Sequence, residues 1–193
     1  MRGVTIGLIV LGVFVTGGAV YFFWPASFSI SPGPTAPSSL QDTGYTFDAL
    51  GITFLYPKTY VFESYPQEDE EGPWQDFVLV AEADKISADQ NGASEGPVSI
   101  GVSVFPNPDQ KKLEEWVRTS KHSNFDISAD GQLSPSSIGG QPALAYRYSG
   151  LYETDAVAVS WQDQIFILSV GWITADDSIR SDFENLLKTV TFK

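Results

Sequence analysis

The sequence predicts an α+β domain, an antiparallel β-sheet flanked by helices in an α/β/α sandwich, preceded by one N-terminal transmembrane helix. Three observations lead there: a charge-free stretch of membrane length at the start, a series of short aromatic and β-branched runs punctuated by glycine, proline and aspartate, and two segments of helical period among them. The 193 residues have room for a membrane segment, a spacer and one domain of ~150 residues, so a second domain is not expected. With 42% hydrophobic and 13% aromatic residues, the bulk of the chain can bury a core and does not read as a solvated tail.

From Val4 to Trp24 no residue carries a charge, and a helix of that length spans about 30 Å, the hydrocarbon thickness of a bilayer. Tyr21, Phe22, Phe23 and Trp24 form an aromatic belt before Pro25. A cleaved signal peptide would carry a shorter apolar run and small residues in that place, so residues 1–24 are expected to be a cytoplasmic tip and an uncleaved signal anchor. Arg2 precedes the span, whereas all 24 acidic residues follow it. The N-terminus is therefore expected inside and the domain outside the cytoplasm, as a single-pass protein of the cell membrane. Residues 25–43 hold Pro25, Pro32, Pro34 and Pro37 among serine, glycine and threonine, the composition of an extended spacer.

Residues 44–193 are expected to form the extracytoplasmic domain. Strands are predicted at residues 52–56, 60–63, 77–82 and 98–105, where aromatic and β-branched residues cluster. Helices are predicted at 109–122 and 176–188, the second with Ile179, Phe183, Leu186 and Leu187 on one face. Between them, strands at 143–149, 154–161 and 164–172 form a meander whose last turn is Gln162-Asp163. Residues 164–172 carry apolar side chains on both faces, Ile165 and Ile167 on one and Phe166, Leu168, Val170 and Trp172 on the other, so cover is expected on both sides. In 98–105 the small face of Ser99, Gly101 and Ser103 offers a close seat for a helix. Residues 189–192 can add a last strand.

Three local patterns, in this order, resemble the PsbP-like family. They are Gly51-Ile-Thr-Phe-Leu-Tyr-Pro57, Ile138-Gly-Gly-Gln-Pro-Ala-Leu144 and Phe183-Glu-Asn-Leu-Leu-Lys-Thr-Val-Thr-Phe192. The resemblance covers residues 45–193 and implies the Mog/PsbP-like fold, an antiparallel sheet between helices, in a bacterial exported relative. It implies a scaffold for accessory or protein-binding roles rather than a catalytic apparatus. The anchor and spacer do not match the N-terminal segment of the photosynthetic members.

The chemistry available to the chain is narrow. Cysteine is absent, which excludes disulfides, thiolate nucleophiles, thiolate zinc sites and a lipidated cysteine. One histidine, His122, cannot supply a usual zinc ligand set, and its place at the end of the first helix reads as electrostatic support for the helix terminus. No serine sits in a glycine-flanked nucleophile elbow. The run Glu68-Asp-Glu-Glu71 reads as a solvated loop. Asp126-Ile-Ser-Ala-Asp-Gly131 matches the first half of a calcium-binding loop, but Ser137 stands where the bidentate glutamate belongs, so it reads as a turn. Trp74, Trp116, Trp161 and Trp172, with Tyr146, Tyr148 and Tyr152, are expected chiefly in the core.

No catalytic, cofactor-binding or metal-binding residue is expected, and no cofactor. The net charge of −13 disfavours nucleic acid as a ligand. The expected function is a non-enzymatic, membrane-tethered module that binds or stabilises an envelope protein or complex. A small-ligand or carbohydrate-binding domain using exposed aromatics is the alternative, and a carboxylate-dependent hydrolase the third.

Overall fold

Strand β9 (Gln164–Trp172) stands near the middle of the fold with Ile165, Phe166, Ile167, Leu168 and Val170 all buried, so both of its faces are covered. Each such side chain contributes about 1.5–3 kcal/mol on leaving water. Around it the computed structural model describes residues 44–91 and 96–193. The membrane helix expected at residues 4–24 and the spacer at 25–43 lie outside the described residues. Among the described residues no helix is long and apolar enough to cross a membrane.

The remaining strands are β1 (Gly44–Ala49), β2 (Ile52–Pro57), β3 (Tyr60–Asp69), β4 (Gly72–Ala81), β5 (Ile100–Pro106), β6 (Ser134–Ile138), β7 (Gln141–Ser149), β8 (Glu153–Trp161) and β10 (Thr191–Phe192). The helices are α1 (Glu82–Asn91), α2 (Leu113–Thr119) and α3 (Ser178–Thr189), with 3-10 turns at Lys121–Ser123 and Phe125–Ile127. A seven-stranded sheet runs β3-β4-β5-β9-β8-β7-β6 and a three-stranded sheet β1-β2-β10, all paired antiparallel. This is the α+β class read from the sequence.

The layers differ from a simple helix–sheet–helix sandwich. One face of the large sheet is covered by α3 together with the three-stranded sheet, joined through Phe54, Phe166, Leu168, Phe183 and Leu186. A stacked pair of rings, Phe47 and Phe54 with centroids 4.7 Å apart, seats that small sheet. The opposite face is covered by α2 and the 3-10 turns, where Phe105, Trp116, Val117, Tyr146, Ile165 and Ile167 pack. That helix was expected over 109–122, and the small face of residues 98–105 was read as a seat for a helix. It is confined to Leu113–Thr119 and packs on β7 and β8 instead. The close approach at Gly101 is taken by the Ser169 hydroxyl of the neighbouring strand.

Three elements escape the sequence pattern. β1 pairs along its whole length with β2, β6 forms the polar edge beyond β7, and α1 follows β4 directly, so Glu82 opens a helix rather than closing a strand. The predicted strands at 60–63 and 77–82 belong to one long hairpin that extends through Glu68 and Asp69 to a two-residue turn, Glu70-Glu71. Gly72 permits that turn with φ of 107°.

The three motifs that resemble the PsbP-like family meet in one corner. β10 pairs with β2, the amide of Leu55 donates to the Thr189 hydroxyl at 2.9 Å, and a Cβ on Gly139 would stand 2.8 Å from the Phe192 ring. The motifs therefore specify how the small sheet closes on the large one.

Antiparallel pairing also gives the domain two distinct ends. The tip end gathers the β3–β4 turn, the exit of β5 at Pro106, the Gln162-Asp163 turn and the Leu50-Gly51 turn, with Gly51 beside Trp161. The entry end gathers Gly44 opposite Pro57, the start of α1 after Ala81, the β7–β8 turn and Ile173.

Gly139 and Gly140 both adopt positive φ in the β6–β7 turn, at 55° and 77°, but only Gly139 faces the Phe192 ring and the Val190 carbonyl. Gly140→Ala is expected to cost about 1 kcal/mol through backbone strain alone, and Gly139→Ala about 1–3 kcal/mol more. Urea unfolding of the two variants checks this; equal losses would show that the corner tolerates the added methyl group.

Candidate functional site

At the tip end a cleft of about 420 Å³ opens between the β3–β4 turn, the loop after β5 and the α2 terminus. Each wall is set by a local sequence device. The loop after β5 begins with Pro106 and Pro108, which prevent the strand from continuing. Between them Asn107 is buried and closes the loop on itself. Its Oδ1 accepts from the Lys111 amide at 3.0 Å, its Nδ2 donates to the Lys111 carbonyl at 3.1 Å, and its own amide donates to the Asp163 carbonyl at 2.6 Å. A buried asparagine with these bonds satisfied costs little, whereas its loss would leave orphaned backbone groups.

The floor is aromatic. The His122 ring stacks on Phe105, with centroids 5.0 Å apart and planes at 20°, and lies 4.4 Å from the Trp74 ring. Phe105 in turn contacts Trp74 at 5.9 Å and Trp116 at 5.2 Å. These rings occupy one another's faces, so the floor is a rigid platform and not a row of free stacking surfaces for a sugar.

The lips are charged. His122 Nε2 lies 3.6 Å from Asp69 Oδ1 and 3.5 Å from Glu71 Oε2. Lys121 bridges Asp69 at 2.9 Å and Glu70 at 2.8 Å, and the Ser120 hydroxyl donates to Glu71 at 3.2 Å. The hydrogen bond from Lys121 holds the Asp69 carboxyl below the usual carboxylate range, helped by the Glu71 amide, and the Lys121 ammonium is pushed up in turn. An aspartate so held is ionised near neutrality and is no proton donor for glycoside cleavage. The acidic run is solvent-exposed, as expected, but it closes a β-hairpin, and Lys121 pairs with Asp69 and Glu70 in it. His122 likewise answers to acids about fifty residues away in sequence and to aromatic rings, rather than to the carbonyls of a helix end.

The first 3-10 turn carries His122 because Ser123 is buried under it. The Ser123 hydroxyl meets the carbonyls of Val117 and Ser120 at 2.6 and 2.8 Å, and the Tyr146 hydroxyl donates to the Ser123 carbonyl at 2.9 Å. Burial pushes the Tyr146 phenol pKa upward, which keeps it a donor.

The other sequence candidates lie elsewhere. Asp130 accepts from the Ser128 hydroxyl and the Gln132 amide, at 3.2 and 2.9 Å, in a local turn, and among the described residues no group of three His, Cys, Asp or Glu side chains is placed to hold a metal. Trp116 and Trp172 are buried, and Trp74 and Trp161 half-buried. Trp172 packs under Arg180 and Arg147, whose guanidinium carbons lie 4.6 and 5.1 Å from its ring centroid. Asp155 holds both cations at 2.9 and 2.6 Å. The tryptophan content therefore serves packing and cation–π contacts. The cleft itself was not legible as a unit, since Trp74, Asn107, Trp116 and His122 share no sequence spacing.

No protein-family model matches the chain, and no curated protein does. Solved structures are similar to it, two of them as follows. One is the solution structure of cyanobacterial PsbP (CyanoP) from Synechocystis sp. PCC 6803, with 15% identity and a TM-score of 0.49, covering 84% of this chain and 100% of that one. The other is a crystal structure from Bacteroides thetaiotaomicron VPI-5482, with 12% identity and a TM-score of 0.47, covering 78% of this chain and 49% of that one. The chain thus spans about half the length of the Bacteroides protein. At these values the overlaps bring no site residue and no activity to this chain.

The Lys121–Asp69 contact has a pH signature. A folded carboxyl pKa below its unfolded value contributes stability that is fully present above the unfolded pKa, near 3.9, and is lost as pH falls through the folded one. Lys121→Met is therefore expected to flatten the fall in urea midpoint below about pH 4, where wild type declines more steeply. Parallel wild-type and variant curves from pH 7 to pH 2 would contradict the assignment.

Proposed function

We propose that this chain is a non-enzymatic, membrane-tethered extracytoplasmic module that binds or stabilises an envelope protein or complex, with the tip cleft as its contact. The observation that carries the reading is the cleft's construction: a rigid aromatic floor, lips bearing Glu71 and Asp109, and walls locked by Asn107. Preorganised aromatic pockets with a polar rim are where protein interfaces concentrate binding energy, because little conformational freedom remains to be lost on association. The acidic lips fit a partner segment that presents lysine or arginine beside an apolar side chain. The charge-free run from Val4 to Trp24 and the spacer at 25–43 support the tether and the placement outside the cytoplasm. The PsbP-like resemblance, carried by the three corner motifs, agrees with an accessory role.

The test is chemical crosslinking of the full chain in native membranes. One envelope protein is expected to be recovered with wild type and with a version whose anchor is exchanged. The double variant Glu71→Lys and Asp109→Lys is expected to lower recovery about tenfold while leaving the melting temperature unchanged. Equal recovery with that variant would remove the cleft from the interface, and no crosslinked envelope protein with wild type would overturn the reading.

A further inference from the structure

The entry end carries a second surface of different character. Leu151, in the β7–β8 turn, is 62% exposed, and Ile173, just past β9, is 69% exposed. The two are neighbours because Glu153 pairs with Trp172. Ile127 is also exposed, and its Cδ1 lies 3.8 Å from the position of a Cβ on Gly150. Between α1, which contributes Asp84, Ser87 and Ala88, and Ile173 an open cleft of about 520 Å³ is walled by Tyr60, Val98 and Tyr152. The Tyr152 hydroxyl donates to the Gly96 carbonyl at 2.6 Å and fixes one wall. Single exposed aliphatic residues are ordinary on a protein surface; three gathered around the β7–β8 turn, Ile127, Leu151 and Ile173, with a cleft beside Ile173, mark an interaction site.

Charge selects among occupants. Glu82, Asp84, Glu153 and Asp176 rim the surface. Of the cations at this end, Lys85 is paired with Glu63, Arg147 and Arg180 are held by Asp155, and Lys58 stands in the β2–β3 turn. Surfaces that lie on bilayers carry basic residues and interfacial aromatics, and an acidic rim is repelled by anionic headgroups. A second copy would set one acidic rim against another. What complements this face is a protein surface of apolar side chains bordered by lysine or arginine.

The point of chain entry says where that surface lies. Gly44 stands at this end opposite Pro57, and 43 residues precede it, including the charge-free stretch from Val4 to Trp24. With the chain tethered there, this end turns toward the membrane and the tip cleft away from it. We infer that the entry end docks on the extracytoplasmic surface of a membrane protein through Ile127, Leu151 and Ile173, matching its acidic rim to basic residues of that partner. The inference rests on the tethered-module reading but uses the face opposite its cleft.

Photo-crosslinking of the full chain in native membranes tests it, with p-benzoylphenylalanine placed at position 151, 173 or, as the distal control, 50. Positions 151 and 173 are expected to give an adduct with the same membrane protein, at a peptide with lysine or arginine beside apolar residues, and position 50 none with that protein. Asp84→Lys with Asp176→Lys is expected to lower the adduct about tenfold without lowering the melting temperature. If the pair unsettles the fold, Asp176→Lys alone is expected to lower it several-fold. Adducts with lipid, adducts with a second copy, equal yield from position 50, or yield unmoved by charge reversal would overturn the inference. Loss of these adducts while the tip-cleft crosslink persists would overturn this inference alone. Their persistence in the Glu71→Lys, Asp109→Lys variant, with no cleft crosslink in wild type, would overturn the cleft and leave this surface standing.

Discussion

A strand that is apolar on both faces cannot lie at a surface, and β9 imposes that condition on everything around it. Ile165 and Ile167 require one covering layer, and Phe166, Leu168 and Val170 another. The second layer is the larger, and α3 alone does not fill it, so β1, β2 and β10 complete it through Phe47, Ile52 and Phe54. The described part of the chain begins in that small sheet and ends in it, which ties the two ends of that part into one layer. Closure at the corner of Gly139 and Phe192 locks the two sheets together, and this is where the three PsbP-like motifs fall.

The first layer is thin by comparison. α2 has seven residues, fewer than an isolated helix needs to persist, so it holds by packing Trp116 and Val117 rather than by propensity. The turns that follow are fastened by Ser123 and Tyr146. Beside this short helix the aromatic floor of the tip cleft is open at its edge.

What the sequence disclosed follows the strength of local patterns. The β8–β9 hairpin was legible because Gln162-Asp163 separates two long runs rich in β-branched and aromatic residues, and Gln162 indeed takes φ of 54° there. α3 was legible through Ile179, Phe183, Leu186 and Leu187. α1 was not, since Ile86 is its one large apolar residue and no period can appear. β6, with Pro135 among serines, reads as a loop and becomes a strand only because an edge position needs few ladder donors. The tip cleft was illegible because its rings come from β4, β5, α2 and a 3-10 turn, and only pairing register brings Trp74 to Phe105 and both to His122. The acidic run was legible as solvated, but its pairing with Lys121 was not, because Lys121 is far along the chain.

The two ends of the domain thus differ in kind. The tip end is rigid, aromatic and fastened by satisfied polar groups; the entry end is aliphatic, acidic at its rim and adjacent to the chain's path from the membrane stretch. A module held by one end and reading a partner with its surfaces is the account's central claim. Hydrogen–deuterium exchange of the full chain in native membranes, compared with the same chain purified in detergent, tests it most directly. Slower exchange in membranes at the β7–β8 turn, around Ile173 and in the loop at 107–111, with the Leu50-Gly51 turn unchanged, is the result the account predicts. Equal exchange at all of these positions in the two settings would contradict it.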